Sequence, residues 1–148
     1  MRILLVASAG GHWIELHRLR AAFVGADCQF VSTSKGMTPP LGDRDVLEIA
    51  DTARDSALAM APTLIGLVRI FRAFDPDLVV STGAAPGALA LLVGKLFGAR
   101  TIWIDSIANS ETLSLSGRLV RPIADLRITQ WKHLADRNPS LQYLGQIL

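Results

Sequence analysis

RILLVASAGGHW, residues 2–13, decides how the rest of the chain is read. Arg2 to Ala7 is an almost unbroken apolar run, the composition of a strand covered on both faces. Two adjacent glycines follow, Gly10 and Gly11, and His12 opens a stretch to Val24 in which Leu16, Leu19 and Phe23 recur at spacings of three and four. That periodicity predicts a helix whose other positions, Glu15, Arg18 and Arg20, lie off the apolar face. Strand, glycine turn and helix in succession open a parallel α/β layer.

Outward from this stretch the alternation repeats. Gln29 to Ser32 reads as a second strand, and the loop TSKGMTPPLGDRD after it holds two prolines and two glycines that forbid regular structure. Val46 to Ile49 is a third strand. An apolar helix follows, with its core at residues 57–71, running to about Phe74, where Asp75-Pro76-Asp77 stops it. Leu78 to Ser81 is a fourth strand, Ala85 to Phe97 a helix closed by Gly98, and Thr101 to Ile104 a fifth strand. A helix near Leu115 to Ala124, a strand at Leu126 to Thr129 and a final turn into Tyr143-Leu144-Gly145 complete the pattern. Crossover helices between strands require a parallel sheet, so the expected class is α/β with a doubly wound, Rossmann-like sheet in a single domain spanning 1–148.

Composition narrows the function classes. Half of the 148 residues are hydrophobic, enough for one well-buried core. Cys28 is the single cysteine and cannot form an internal disulfide, and MRILLV enters the first strand without a basic leader, which together point to a reducing cytosol. Fifteen Lys and Arg face 13 Asp and Glu with no long basic run, so no nucleic-acid interface is expected. The apolar segment 57–71 is interrupted by Pro62 and Arg69 and falls short of the roughly 18 to 20 apolar residues of a membrane span. It reads as a helix on a sheet face, with one side available to lipid or a partner.

Ligands of open parallel sheets bind beyond the carboxyl ends of the strands. Three segments converge there: Ser8 to His12 after strand one, Thr82-Gly83-Ala84-Ala85-Pro86-Gly87 after strand four, and Asp105-Ser106-Ile107-Ala108-Asn109 after strand five. The glycines let a ligand approach the backbone, and the helix starts behind them suit phosphate. A dinucleotide fingerprint is absent, because AGGH lacks G-x-G-x-x-G and strand two ends in Val31-Ser32-Thr33 without an acid. Neither glycine loop carries the Lys-Ser or Lys-Thr of a nucleoside-triphosphate loop. His12 has three uses open to it: general base toward a hydroxyl, donor to phosphate, or helix cap. Arg54 either pairs with phosphate bidentately or is a solvated loop arginine, and Asp105 is either a functional acid at a strand end or a cap for the next turn. The three histidines and one distant cysteine make no metal site.

AGGH, the strand ending in STGAAPG, the run WIDSIANSETLSLSGRLVRPIADLRITQWKHL and the closing YLGQIL together resemble a known family. It is that of the acceptor-side subunit of the two-chain UDP-N-acetylglucosamine transferase of dolichol-linked oligosaccharide synthesis, with its bacterial PssD and CpsF type polysaccharide-biosynthesis relatives. The glycine loops are also similar to the N-terminal half of MurG-type enzymes. The resemblance implies the N-terminal half of a GT-B glycosyltransferase that moves a sugar from a UDP-sugar to a lipid-diphosphate-linked saccharide. It implies a separate donor-binding glycosyltransferase subunit that holds most of the UDP-sugar, a lipid-linked saccharide acceptor on this chain, and no cofactor. By the same resemblance Gly10, Gly11, Thr82, Gly83 and Pro86 shape the acceptor pocket, Asp105 and Ser106 match the acidic-plus-serine element of the third loop, and His12 becomes the candidate base.

The eukaryotic relatives carry an N-terminal membrane span, whereas this sequence starts at its first strand. A cytoplasmic location is expected, with peripheral membrane contact on the inner face of the plasma membrane through the apolar segment 57–71 or the basic face of the first helix. Two rival readings are open: a non-catalytic scaffold that recruits the catalytic chain to the membrane, and a stand-alone nucleotide-binding Rossmann module.

Overall fold

A computed structural model describes residues 1–51 and 60–147. Strand β1 (Arg2–Ala7) leads into helix α1 (Gly11–Arg18), a 3-10 turn (Leu19–Phe23) and β2 (Asp27–Ser32). Then come β3 (Leu47–Glu48), α2 (Ala61–Phe74), β4 (Leu78–Ser81), α3 (Ala84–Leu96) and β5 (Arg100–Ile104). The chain closes with α4 (Leu115–Leu119), β6 (Leu126–Thr129), α5 (Lys132–Arg137) and β7 (Gln142–Tyr143). The seven strands form one sheet in the order β3-β2-β1-β4-β5-β6-β7, and every pairing is parallel. The order reverses between β1 and β4, the switch point of a doubly wound sheet.

The unbroken apolar run of β1 divides by alternation between two cores. Leu4 and Val6 point to one face and pack with Leu67 and Phe71 of α2, with Ala90, Leu91 and Val93 of α3, and with Trp103 and Val120. Ile3, Leu5 and Ala7 point to the other and pack with Trp13 and Leu16 of α1 and with Phe30, Val80 and Ile104. A strand with a layer on each side needs both of its side-chain sets apolar, which is why periodicity two is invisible in its sequence.

Helix α3 lies close to the sheet because two of its residues have no side chain. A Cβ on Gly94 would stand 2.7 Å from Val79 Cγ2, and one on Gly87 would overlap Ser81 Oγ. Beside it, Asp125 ties the start of β6 to β5: its Oδ2 accepts from Thr101 N at 2.9 Å and from Thr101 Oγ1 at 3.0 Å, and its Oδ1 accepts from Lys95. The Lys95 hydrogen bond, aided by Thr101, holds the Asp125 carboxyl below the ordinary carboxylate range.

Several boundaries differ from the sequence expectation. The first helix stops at Arg18 and continues as a 3-10 helix to Phe23, in which only Leu19 and Phe23 pack against the core and both are half-buried. β2 starts two residues early, at Asp27, where its amide bonds to Met1 O at 3.1 Å. β3 shrinks to two exposed residues. The helix expected to Ala124 ends at Leu119, ahead of Pro122, and α5 and β7 were not foreseen; α5 buries one side chain, Leu134, too little to give a period. The start of the apolar helix expected from residue 57, and Arg54, lie outside the described residues.

Gly94→Ala is expected to cost about 1–3 kcal/mol through overpacking against Val79, read as a lowered thermal midpoint. Asp125→Asn should lower the midpoint at neutral pH. Because the folded carboxyl titrates below its unfolded value, that deficit is full above the unfolded pKa of roughly 3.9 and fades as pH falls through the folded value, which melts at pH 7 and pH 2.5 would reveal.

Candidate functional site

The loops after β1 and β4 are neighbours at the switch point, so α1 and α3 begin side by side at the carboxyl edge. Their N-caps are Gly10, at φ 81°, and Gly83, at φ 147°, and neither helix start has a side-chain cap. First-turn N–H groups that no side chain among the described residues satisfies are donors for an anion, and the helix dipole favours one. An open cleft of about 260 Å³ lies here, lined by Ser8 and Ala9 after β1, Thr33 after β2, Asp51 beyond β3, and Ala84, Ala85 and Pro86 at the start of α3. Pro86 sits in the first helical turn, where its missing N–H costs no helical bond. Ala84 is held at φ 64°, a left-handed conformation that non-glycine residues adopt at a cost.

His12, in the first turn of α1, is fastened across this junction. Its Nδ1 lies 2.9 Å from Thr82 O, and Thr82 Oγ1 donates back to His12 O at 2.7 Å. A carbonyl oxygen only accepts, so Nδ1 carries a hydrogen, and in the neutral ring that leaves Nε2 as the acceptor. Gly83 makes the contact possible, because a Cβ there would fall 2.3 Å from both Cε1 and Nδ1 of the ring. Thr82 and Gly83, expected to shape a phosphate turn, therefore hold the imidazole. A Cβ on Gly10 or Gly11 would meet nothing within 4 Å, so both glycines border open space, and of the two only Gly10 has a positive φ.

The third loop is built differently from expectation. Asp105 is 1 % exposed and spends both oxygens internally: Oδ1 accepts from Trp103 Nε1 at 3.0 Å and from Ser114 Oγ at 2.5 Å, and Oδ2 from Ser114 N at 3.0 Å. It braces the loop that enters α4, and its carboxylate has no face toward the cleft. Ser106 Oγ donates 2.8 Å to Glu15 Oε1. Glu15, expected off the packed face of its helix, is instead buried. Helical periodicity registers only apolar spacing and carried no signal for it. Arg127 is also buried, donating from Nη1 to Gly117 O at 3.1 Å and from Nη2 to Ser140 Oγ at 2.5 Å. Burial lowers its basicity, Arg121 lowers it further, and Asp105 opposes both.

Of the expected site residues, then, His12, Thr82 and Gly83 are in mutual contact, Pro86 lines the cleft, Gly10 and Gly11 face open space beside it, and Asp105 and Ser106 are tied into the scaffold. Gly83→Ala should expel the ring from Thr82. The protected imidazole N–H resonance expected for His12 in the parent protein would then be lost from the proton NMR spectrum, while a β-sheet amide spectrum persists.

The profile of the family described as "Oligosaccharide biosynthesis protein Alg14 like" matches residues 44–147. The UDP-N-acetylglucosamine transferase subunit ALG14 of Homo sapiens is 29% identical over 182 aligned positions, covering 100% of this chain and 83% of the human one. The subunit of the same name from Mus musculus is 41% identical over 81 residues, 49% of this chain and 36% of the mouse one. Among solved structures, Acinetobacter baumannii MurG superposes with a TM-score of 0.73 at 12% identity, over 98% of this chain and 45% of that one. UDP-N-acetylglucosamine 2-epimerase from Rickettsia bellii gives 0.73 at 15%, over 99% and 45%. The chain thus spans under half of either solved structure and has the fold of the Rossmann-like N-terminal half of GT-B enzymes. With a family profile covering most of its length, the chain belongs to the Alg14 family.

Proposed function

We propose that this chain is the acceptor-side subunit of a glycosyltransferase that moves a sugar, N-acetylglucosamine or another hexose, from a UDP-sugar to a lipid-diphosphate-linked saccharide. The observation that carries the reading is His12: an imidazole whose Nδ1 is committed to Thr82 O, standing at the junction of two uncapped helix starts. The acceptor diphosphate would take the first-turn N–H groups. His12 Nε2 would then accept the proton of the acceptor hydroxyl as its oxygen bonds to the anomeric carbon and the bond from that carbon to the UDP oxygen breaks. The electron pair leaves with UDP, whose charge needs donors that a separate donor-binding chain supplies. The name of the human relative, a transferase subunit, supports a partner of this kind. This chain would form one acceptor-side domain and have little activity without that partner.

Among the described residues, no helix is long and apolar enough to cross a membrane. A peripheral position on the cytoplasmic face of the plasma membrane is supported by exposed apolar side chains, Leu64 and Ile65 on α2 and Leu115 and Leu119 on α4, with the exposed Arg118 and Arg121 close by in sequence. Leucines with adjacent arginines suit an anionic lipid surface.

Transfer of radiolabelled sugar from UDP-N-acetylglucosamine to extracted lipid-linked acceptor, by the chain alone and with its partner, tests the reading. Activity is expected only with the partner. His12→Ala in the assembled pair should lower kcat by about 10²–10⁴-fold, the usual loss of a general base. Unchanged turnover would instead identify a recruiting scaffold, and tight binding of UDP-sugars or dinucleotides by the isolated chain would identify a stand-alone nucleotide module.

A further inference from the structure

Helix α1 has only eight residues, yet it grips two different loops. His12 engages the loop after β4 through Thr82. Three residues on, Glu15 engages the loop after β5: its Oε1 accepts from Ser106 Oγ at 2.8 Å and from Ile107 N at 2.9 Å. Ser106 Oγ in turn accepts from Ala108 N at 3.3 Å, so the start of this loop is wound around one carboxylate oxygen. The loop is held from its other side as well, by Trp131 Nε1 on Ile107 O at 2.8 Å and Gln130 Nε2 on Asp105 O at 3.1 Å.

Glu15 is an expensive means of holding a loop. The residue is 4 % exposed, and its buried Oε2 has no hydrogen-bond partner among the described residues. Burying a carboxylate with one oxygen unpaired costs more than burying an apolar side chain of the same volume, so the stability of the fold does not explain its presence. Its placement does. Residues three apart on a helix stand on one face, about 5–6 Å apart at Cβ, so Glu15 fastens the turn 106–108 to the same rigid turn of helix that carries His12.

We propose that Glu15 is a positioning residue for the acceptor. It fixes the third loop, with its exposed Ala108 and half-buried Asn109, at a constant distance from His12 Nε2, so that a hydroxyl-bearing acceptor seated against that loop presents its oxygen to the imidazole. This inference rests on the acceptor-binding reading above.

The test uses the full chain, free for amide exchange and paired with its donor-binding partner for kinetics. Glu15→Ala is expected to speed exchange of the Ile107 and Ala108 amides at least tenfold while β1 and β4 amides stay protected. In the pair it should raise KM for the lipid-linked acceptor about tenfold, leaving KM for the UDP-sugar unchanged and kcat within about threefold. Ser106→Ala should move the same quantities less, the double variant should be no worse than Glu15→Ala alone, and Glu15→Gln, which keeps an acceptor oxygen, should recover most of the acceptor affinity. Unchanged exchange at Ile107 and Ala108, an unchanged acceptor KM, or equal rises for both substrates would each overturn the proposal. If Glu15→Ala does not fold, Ser106→Ala and Glu15→Gln decide by the same comparisons. A parent pair that transfers no sugar refutes the glycosyltransferase reading instead, and the exchange experiment still shows whether Glu15 holds the turn.

Discussion

Strand β1 loses contact with water along Leu4 to Ala7, and most of the molecule is arranged around that burial. A strand with both faces covered needs a neighbour on each edge and a layer on each side. Parallel pairing with β2 and β4 satisfies the edges; α1 covers one side, and α2 and α3 cover the other. The loops leaving β1 and β4 then diverge to opposite layers, and the gap between them is the cleft. The position of the site is thus a consequence of how the central strand is buried.

Around that gap the structure invests in polar contacts between segments distant in sequence. His12 and Thr82 exchange two hydrogen bonds, and Glu15 collects two donors from the loop after β5. Asp105 collects three from Trp103 and Ser114. Each bond adds little net stability, but each removes freedom from a loop at the carboxyl edge of the sheet. Unfavourable features occur here too: Ala84 in a left-handed conformation and, among the described residues, a Glu15 Oε2 without a partner. Strain of this kind persists where the surrounding structure over-determines it, and here the tightly packed α3 and α1 do so.

Much of this architecture is legible in the residues. Arg2 to Ala7, Leu78 to Ser81 and the helix after Gly83 stand at their expected places within a residue, because a long apolar run and a glycine before a helix have few alternative readings. Short pieces failed for the opposite reason. β7 has two exposed residues, β3 has two, and α5 buries Leu134 alone, so their existence depends on the edge or surface they join more than on their own composition. Asp105 was expected at the acceptor pocket, whereas its carboxyl group is spent on Trp103 and Ser114, partners that approach only once β5 and α4 are packed.

By itself the sequence determined the α/β class, the parallel sheet, the glycines at the helix entrances and, through the wording of its glycine loops and last third together, the family. These are local or pattern properties, set by apolar periodicity and by backbone conformations that few residues other than glycine tolerate. Only the tertiary structure decided what the polar residues do. That Gly83 makes room for an imidazole, that Glu15 leaves the solvent to hold Ser106, and that Asp105 turns inward all depend on partners that packing brings in, up to 92 positions away. Hydrogen bonds over such separations leave no period in the sequence, because they are formed by the packing of the layers and not by the spacing of residues along the chain.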